Sequence, residues 1–341
     1  MRDSYFDNLK GILIILVVIG HFILPMDRTR LVWSLFYIIY LFHMPMFAMI
    51  SGYFAKGIYR DGKFRMERLL RILWLYIVFK CAVHVTENLA AGTTLLKPID
   101  FFFEGGSPWY LLAMIWWYLS IPFACMFKPK VVIAATIFIS IFSGYQVSLG
   151  DDLAMCRTLA FAPFFYGGYY LTREQVDKFV KSKSKYVFAV GAVLLTVLFA
   201  VGNQEMFGQV RRFVYGMNYR DTNEALFALG GPIRVVHYIC TMMLILGIMA
   251  VTPSKKTMLS GIGQRTLPIY ILHRLLRDMM EYWGFYMVVT SQYRKNVLFV
   301  VVLAVVVTFV LGQSWIDALF KKLQCVPDWC YRKWGKTAEE E

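Results

Sequence analysis

Residues 7–22 read DNLKGILIILVVIGHF, an apolar run that follows a charged segment and reaches a histidine at its far end. Its length is close to the roughly 20 residues that an α-helix needs to cross the hydrocarbon core of a bilayer. The run has no small-residue cleavage site, which predicts that it stays in the membrane instead of being removed as a signal peptide. The stretch therefore predicts a first transmembrane helix with an ionisable side chain deep inside it.

Apolar runs of similar length recur along the whole chain. Hydrophobic residues make up 58% of the 341 positions and charged residues only 17%, whereas a soluble domain is about half apolar and about a quarter charged. We predict an all-α membrane bundle of about ten transmembrane helices within residues 1–320, followed by a cytoplasmic tail at residues 321–341. The runs begin near Gly11, Leu31, Ile72, Trp109, Val131, Arg157, Tyr186, Gly231, Thr266 and Asn296.

The net charge of +14 is distributed according to this predicted topology. Most Lys and Arg residues lie in alternate connections between the apolar runs, which is the positive-inside pattern. The pattern predicts that both termini face the cytoplasm and that the basic residues meet anionic lipid headgroups. The basic charge therefore indicates a membrane protein, and nucleic acid is excluded as its partner.

The six cysteines form no recognisable disulfide framework. Four of them lie in or beside predicted spans, where a free thiol behaves as a small hydrophobic group. Cys325 and Cys330 fall in the predicted cytoplasmic tail, where they would stay reduced. A zinc site there would need two further ligands, and none lies nearby in the sequence. We therefore predict no bound metal.

The ionisable residues of the first span lie on one side of its helix. At 100° per residue, Asp7, Lys10 and His21 form one stripe, with His21 about 16 Å deeper than Lys10. An ionisable side chain at that depth is expensive and by default functional, although a histidine hydrogen-bonded to a neighbouring helix is an equal alternative. Imidazole is well matched to general-base chemistry near neutral pH. His21 is therefore a catalytic candidate, and Asp7 shares its stripe.

The second predicted span contains FHMPMF at residues 42–47 and SGY at residues 51–53. His43 lies near mid-membrane, beside a proline that should bend the helix and free a backbone carbonyl group. Gly52 permits the close approach of another backbone. Two histidines on the two helices of one hairpin could meet in a shared cavity, which makes His43 a second catalytic candidate.

Arg65, Arg68 and Arg71 recur every three residues where the third apolar run begins. They lie along one side of a helix just inside the predicted cytoplasmic face. Guanidinium groups in this arrangement can hold phosphates in a bidentate manner. Anchoring to anionic lipid is the simpler interpretation of the same pattern. The residues alone leave both interpretations open.

Two predicted outer loops, at about residues 92–108 and 203–230, combine aromatic and charged side chains. Long loops in a compact protein are more often functional than accidental. Such side chains suit a carbohydrate or a polar headgroup, and a solvated lid without a ligand is an equal alternative. The first loop leads to Trp109 and Tyr110 at an outer span boundary, a position where interfacial aromatic residues are also common.

The ninth apolar run, TLPIYILH at residues 266–273, reaches a histidine and is followed by a cluster of charges. Each of two arginines stands four residues before an acidic residue, which predicts two ion pairs of structural role on one helix. The pairs are Arg274 with Asp278 and Arg277 with Glu281. For three further polar residues within the spans the sequence indicates no partner: Lys80, His84 and His237.

Taken together, these segments resemble the acyltransferase-3 family of integral membrane acyltransferases, in its fucose acetylase-like branch. The motifs occur in the family's order along nearly the whole chain. The most specific is a basic residue, ten intervening positions and a histidine, here Lys10 and His21. The other motifs are FHMPMF at 42–47 with SGY at 51–53, RLLR at 68–71, PWYL at 108–111 and YILH at 270–273.

The resemblance implies ten spans in a bacterial cytoplasmic (inner) membrane, and a cytoplasmic acyl-CoA donor that is usually acetyl-CoA. The implied acceptor is a hydroxyl group of a glycan, a glycolipid or a small molecule. We expect His21 to deprotonate this hydroxyl or to relay the acyl group, with His43 and Asp7 as further catalytic residues. The residues expected to bind the CoA phosphates are Lys10, Arg65, Arg68 and Arg71. Those expected to bind substrate are Ser51, Tyr53, Trp109, Tyr110, Tyr270 and His273.

A transporter or flippase of a lipid-linked sugar or small anion is the alternative. Embedded histidines, a proline within a helix and buried ion pairs also occur in transporters. The inverted repeats common to such carriers are not visible, because the histidines of the first two spans have no counterpart in the second half. A scaffold without enzymatic activity would leave those histidines unexplained. The sequence leaves the oligomeric state open.

Overall fold

A computed structural model describes residues 3–26, 29–92, 98–202, 204–220, 222–292 and 296–328. These residues are mostly helical, which confirms the all-α fold class. The helices that they form are α1 (Ser4–Ile23), α2 (Arg30–Phe54), α3 (Met66–Ala90), α4 (Trp109–Ala124), α5 (Pro129–Ser143), α6 (Met155–Tyr170), α7 (Arg173–Lys181), α8 (Lys185–Val201), α9 (Gln204–Val214), α10 (Glu224–Ala228), α11 (Gly230–Val251), α12 (Met258–Gly263), α13 (Thr266–Tyr282), α14 (Phe285–Gln292), α15 (Val297–Leu311) and α16 (Ser314–Gln324).

A short antiparallel hairpin between α2 and α3 was not predicted. Its strands are β1 (Tyr59–Arg60) and β2 (Lys63–Phe64), and a 3₁₀ turn at Ala55–Gly57 precedes them. Asp61 and Gly62 at the tip both have positive φ, 53° and 74°. Two such residues in sequence form the tight hairpin turn that Asp-Gly pairs favour.

Four helices are long and apolar enough to cross a membrane by themselves: α1, α2 extended to Gly57, α3 and α11. Two bent pairs could each form one more span, namely α7 with α8, bent by 80°, and α15 with the segment from Ser314, bent by 62°. The protein is therefore an integral membrane protein, and by this criterion the described residues contain four to six spans. Each of the ten predicted apolar runs coincides with a helix, but several of these helices are shorter than 18 residues. The count of ten and the orientation of the termini stay predictions.

The C-terminal boundary predicted from the sequence falls inside a helix. The tail was predicted to begin at residue 321, whereas α16 continues to Gln324. Residues 329–341, including Cys330, lie outside the described residues. Cys325 is an exposed free thiol directly after α16.

Helix α1 lies in the middle of the bundle, and most of its residues are buried. It packs against α2, α12, α13 and α15. The contact with α12 is so close that a Cβ atom at Gly263 would collide with the backbone carbonyl oxygen of Asp7. Only glycine allows two helices to approach to this distance. The N-terminal end of α1 is thereby held against α12.

Asn8 reinforces the contact between α1 and the segment that leads into α12. Its side chain is fully buried and donates from Nδ2 to the carbonyl oxygens of Pro253, at 2.7 Å, and Lys255, at 2.8 Å. Its Oδ1 accepts from Thr257 Oγ1 at 2.7 Å and from Ser260 Oγ at 2.6 Å. Because buried polar groups need partners, these bonds determine how the segment sits on α1.

Helix α2 continues through Pro45 from Arg30 to Phe54. Because proline has no N–H group, the carbonyl oxygen of Leu41 lacks its helical donor. Thr241 Oγ1 of α11 donates to that oxygen at 2.8 Å. The predicted close approach at Gly52 is confirmed, since a Cβ atom there would collide with the carbonyl oxygen of Phe165 on α6.

Replacing Asn8 by alanine should destabilise the protein by about 2–4 kcal/mol, because buried groups of α1 and α12 would lose their partners. The expected result is a lower melting temperature in detergent. Asn223→Ala is the matched control, because it removes one exposed capping bond to the Leu226 amide and should cost about 1 kcal/mol. Equal melting temperatures for both variants would contradict a central role of Asn8.

Candidate active site

A cavity of about 330 Å³ lies at the end of α1 that carries His21, and we call it the outer cavity. His21 and His43 both line it, so the two histidines do share a cavity. Its volume lies within the range typical of sites for small organic ligands. Its polar and aromatic lining residues are His21, Tyr40, His43, Ser107, Trp109, Asp151, Arg157, Phe161, Tyr215, Tyr270 and Arg274.

The hydrogen bonds of two histidines determine where their protons lie. His43 Nδ1 is 2.7 Å from the carbonyl oxygen of Ile39, and His273 Nδ1 is 2.8 Å from that of Ile269. Because a carbonyl oxygen can only accept, each Nδ1 donates, and each neutral ring keeps its lone pair on Nε2. The ring of His21 lies 5.0 Å from that of His273, measured between centroids. His21 Nδ1 and His273 Nε2 are buried and have no hydrogen-bond partner among the described residues.

An ion-pair network on α13 holds a guanidinium group at the wall of the outer cavity. Arg274 lines the cavity, and its Nε lies 2.9 Å from Asp278 Oδ2. Arg277 pairs with Glu281, so both predicted ion pairs are confirmed. The structure adds Glu87 of α3, whose Oε1 lies 3.6 Å from Arg274 Nη2. These acidic residues partly neutralise the cations, which lowers the cost of burying them.

Buried charges also hold the loop before α4 against the bundle. Glu104 is only 1% exposed, and its Oε2 lies 3.1 Å from Lys80 Nζ of α3. Lys80 also donates to the carbonyl oxygen of Phe103 at 2.7 Å, so this lysine has the partners that the sequence did not indicate. Arg157 of α6 donates to the carbonyl oxygen of Glu104 at 3.0 Å. Residues 105–107 are thereby kept in the lining of the outer cavity.

A second cavity, of about 280 Å³, lies toward the other end of α1, and we call it the inner cavity. Lys10 lines it, together with mainly apolar and aromatic residues. Val17, Met44 and Tyr270 line both this cavity and the outer one. The two cavities therefore adjoin at these three residues, which we call the junction.

Asp7 does not reach His21. Its carboxylate lies 2.8 Å from Lys10 Nζ and accepts from Gln264 Nε2 at 2.9 Å. Fourteen residues of helix, or about 21 Å, separate it from His21. Asp7 therefore lies too far along α1 to contact His21, and its assignment as a catalytic residue stays a prediction. Asp7 instead orients Lys10.

The three arginines predicted to bind CoA phosphates lie in different surroundings. Arg65 is exposed immediately before α3. Arg68 is half-buried and lies within electrostatic range of Tyr118, which lines the inner cavity. Arg71 binds the carboxylate of Asp328 with two hydrogen bonds, of 3.0 and 2.6 Å. Its guanidinium group is therefore engaged by the C-terminal segment, a contact that helix spacing could not reveal.

Four of the predicted substrate-binding residues line the cavities. Ser51 and Tyr110 share a hydrogen bond of 2.7 Å between their hydroxyl groups in the inner cavity. Trp109 lines the outer cavity, with the Arg157 guanidinium 5.3 Å from its ring centroid. Tyr270 belongs to the junction, and its hydroxyl donates to the carbonyl oxygen of Ser107.

Tyr53 lines neither of these two cavities, and its assignment as a substrate-binding residue stays a prediction. Its ring stacks on Phe6 at 4.3 Å, and the Lys56 ammonium lies 4.3 Å from its centroid.

Sequence reasoning also missed Tyr40 and Arg157 as lining residues of the outer cavity. The sequence contains one indication of Arg157, because it is a charged residue at the start of an apolar run. No group of three or more His, Cys, Asp or Glu side chains within the described ranges is placed to hold a metal ion.

Comparison with known proteins identifies a family and relatives of this chain. A family model described as "Acyltransferase domain" matches residues 3–313. Nodulation protein NolL of Sinorhizobium fredii (strain NBRC 101917 / NGR234) is 33% identical over 210 residues, which cover 56% of this chain and 56% of that protein. Nodulation protein NolL of Mesorhizobium japonicum (strain LMG 29417 / CECT 9101 / MAFF 303099) is 42% identical over 89 residues, 24% of each chain. The chain thus spans about half or less of the length of these relatives, and no solved structure matches it.

Removing the charge of Glu104 should loosen the loop that lines the outer cavity. Glu104→Gln leaves the Lys80 ammonium without its counter-charge, and we expect a destabilisation of about 3 kcal/mol. Lys80→Met combined with Glu104→Gln should restore most of that loss, because no unpaired charge remains. Melting temperatures and protease cleavage between residues 98 and 108 measure both effects. A double variant as unstable as the single one would show that charge pairing is not what holds this loop.

Proposed function

Because the chain belongs to the acyltransferase family whose model matches residues 3–313, we propose that it is a membrane-bound O-acyltransferase. The donor is a cytoplasmic acyl-CoA, with acetyl-CoA as the first case. The acceptor is a hydroxyl group of a sugar or another cell-envelope component. The observation that best supports this function is the pair of adjoining cavities, one beside Lys10 and the other beside His21. A cation and a candidate base at opposite ends of this space fit a donor and an acceptor that arrive from opposite sides.

In this proposal the inner cavity receives the donor. Lys10 and Arg68 attract the phosphates of CoA, and the exposed Arg65 adds positive charge nearby. The largely apolar lining accepts the pantetheine arm, and the hydroxyl groups of Ser51 and Tyr110 offer hydrogen bonds to its amides. The thioester then lies at the junction. Arg71 is not assigned to the phosphates here, because its guanidinium group makes two hydrogen bonds to Asp328.

The outer cavity receives the acceptor. Aromatic rings can stack on the C–H faces of a sugar, and charged groups can bind its hydroxyls, so Trp109, Tyr215 and Arg157 fit this ligand class. His43 adds an acceptor for a sugar hydroxyl at Nε2, because its Nδ1 is bound to Ile39. These features support a carbohydrate acceptor over an apolar one.

His21 acts as the general base of the proposed reaction. Its ring takes the proton of the acceptor hydroxyl while the hydroxyl oxygen attacks the thioester carbonyl carbon and a C–O bond forms. When the C–S bond breaks, the same proton passes from His21 to the sulfur, which gives the ester and free CoA thiol. The guanidinium group of Arg274 stabilises the oxyanion of the tetrahedral intermediate.

The proposal includes ten spans in a bacterial cytoplasmic membrane, with both termini inside. It is supported by the coincidence of every predicted apolar run with a helix, and helices shorter than the bilayer core can still span it where the lipid thins. In this orientation Lys10 and the arginines face the cytoplasm, and His21 lies nearer the outer surface. The acyl group then passes through the protein at the junction.

The exchange His21→Ala should lower transfer of label from radioactive acetyl-CoA to envelope glycans by roughly 10²–10⁴-fold, the usual contribution of a general base. Binding of acetyl-CoA should remain, because Lys10 and Arg68 are unchanged. His237→Ala is the matched control, since this buried histidine lines neither cavity. Unchanged transfer by a folded His21→Ala variant would remove the centre of the mechanism.

The donor is tested separately by the wild-type protein. Acetyl-CoA should raise its melting temperature, because a ligand that binds only the folded state stabilises it. If acetyl-CoA neither stabilises the protein nor loses its acetyl group, the acetyl donor is wrong. Transport of a lipid-linked sugar then becomes the hypothesis to test.

Met44→Trp should close the junction, because the larger ring would occupy the space shared by the two cavities. We expect transfer to fall on the order of a hundredfold, the effect of misplaced reacting groups. Stabilisation by acetyl-CoA should persist, since the phosphates bind beside Lys10. Met126→Trp is the control, because Met126 is 76% exposed between α4 and α5. Full transfer by Met44→Trp would show that the acyl group does not pass this point.

A further inference from the structure

A third cavity, of about 380 Å³, lies outside the two cavities of the candidate active site and shares no lining residue with them. It is lined mainly by residues of α2, α5, α6, α7 and α11. Among the described residues, its only polar lining side chains are those of Gln175 and Tyr238. The Tyr238 hydroxyl is already bonded to Ser140 and to the carbonyl oxygen of Ala160. The space is therefore apolar and suits a hydrocarbon chain.

The dimensions of this cavity match one leaflet of a bilayer. Along α11 it extends from Tyr238 to Met249, which is about 16 Å of helix. Half of a hydrocarbon core is about 15 Å thick. The cavity also opens at its side, because Met242 is 37% exposed and a Cβ atom at Gly167 would meet nothing within 4 Å. A lipid chain could therefore enter it from the membrane.

Basic residues border the end of the cavity that the predicted topology assigns to the cytoplasm. Lys130 stands three residues before the lining residue Ile133 on α5, and Lys178 stands three residues after the lining residue Gln175 on α7. Residues three apart share a helix face, so both lysines lie at the rim. Both are exposed. Two ammonium groups above an apolar cavity complement a negatively charged headgroup.

Helix α7 has the orientation that such a site requires. It bends by 80° from α8, so it lies across the direction of the neighbouring span. Val176 and Phe179 on one side of it line the cavity, Lys178 is exposed at the edge of that side, and Lys181 is exposed on the opposite side. A helix with one apolar and one basic face lies at the level of the lipid headgroups. Helix α7 therefore connects the apolar cavity to the headgroup layer.

We propose that this cavity binds one acyl chain of an anionic phospholipid from the cytoplasmic leaflet, with the phosphate held between Lys130 and Lys178. A zwitterionic phospholipid has a chain that fits equally well, but it lacks the net negative charge that the two lysines attract. This lipid site is separate from the cavities of the candidate active site. Lipid binding there does not depend on which reaction the protein catalyses. The bound chain packs against Met49 of α2, the helix that also carries His43.

Native mass spectrometry of the purified full-length protein tests this site with two lipids, phosphatidylglycerol and phosphatidylcholine. The wild-type protein should retain one phosphatidylglycerol at concentrations where phosphatidylcholine is lost. Leu246→Trp fills the cavity and should abolish this retention. Lys130→Gln combined with Lys178→Gln should weaken it roughly 25-fold, about fivefold for each lysine.

Two variants serve as matched controls. Leu194→Trp places the same ring on α8 at a residue that is 64% exposed and lines none of the three cavities. Lys256→Gln removes an exposed lysine from the segment before α12. Both should retain phosphatidylglycerol like the wild type.

Two results would overturn the proposal. Equal phosphatidylglycerol retention by Leu246→Trp and Leu194→Trp would exclude the cavity as the chain site. Equal retention of both lipids by the wild type would exclude an anionic headgroup site. The melting temperature of each variant without added lipid shows whether it is folded. If Leu246→Trp fails to fold, Met242→Trp at the cavity opening provides the same test.

Discussion

The position of α1 within the bundle is the constraint on which the candidate site depends. Asn8 makes hydrogen bonds to four partners on α12 and the segment leading into it, and Gly263 lets the two helices touch backbone to backbone. Both contacts hold the cytoplasmic end of α1 as the predicted topology orients it. Because a helix is stiff along its axis, fixing that end also fixes where Lys10 and His21 lie. One helix thereby contributes to both cavities.

The outer cavity depends on a second constraint, the need of buried charges for partners. Lys80 and Glu104 secure the loop before α4, and the arginines of α13 are neutralised by acidic residues of α13 and α3. Apolar packing alone would not fix the positions of the polar side chains that line this cavity. The ion pairs instead hold polar side chains in fixed places around His21. The same charges that stabilise the outer wall therefore also determine which chemical groups face a ligand.

Much of the candidate site was predictable where a residue type and its depth in a span coincide. His21 and His43 could be recognised as unusual because imidazoles are rare in apolar runs, and they do share a cavity. The ion pairs of α13 were predictable because partners four residues apart on a helix always lie close. The contacts of Asp7, Tyr53 and Arg71 could not be predicted from the sequence. Their contacts with Gln264, Phe6 and Asp328 join parts of the chain that no local pattern relates.

The sequence by itself determined the membrane class, the positions of the apolar helices and the identity of the embedded histidines, because hydropathy and helical periodicity are local properties of a chain. Only the tertiary structure decided which residues face one another. The junction at Val17, Met44 and Tyr270 joins three helices, and the lipid-sized cavity joins five elements. Cavities of this kind arise from the packing of helices distant in sequence, and small differences in helix rotation decide whether a side chain lines a space or fills it.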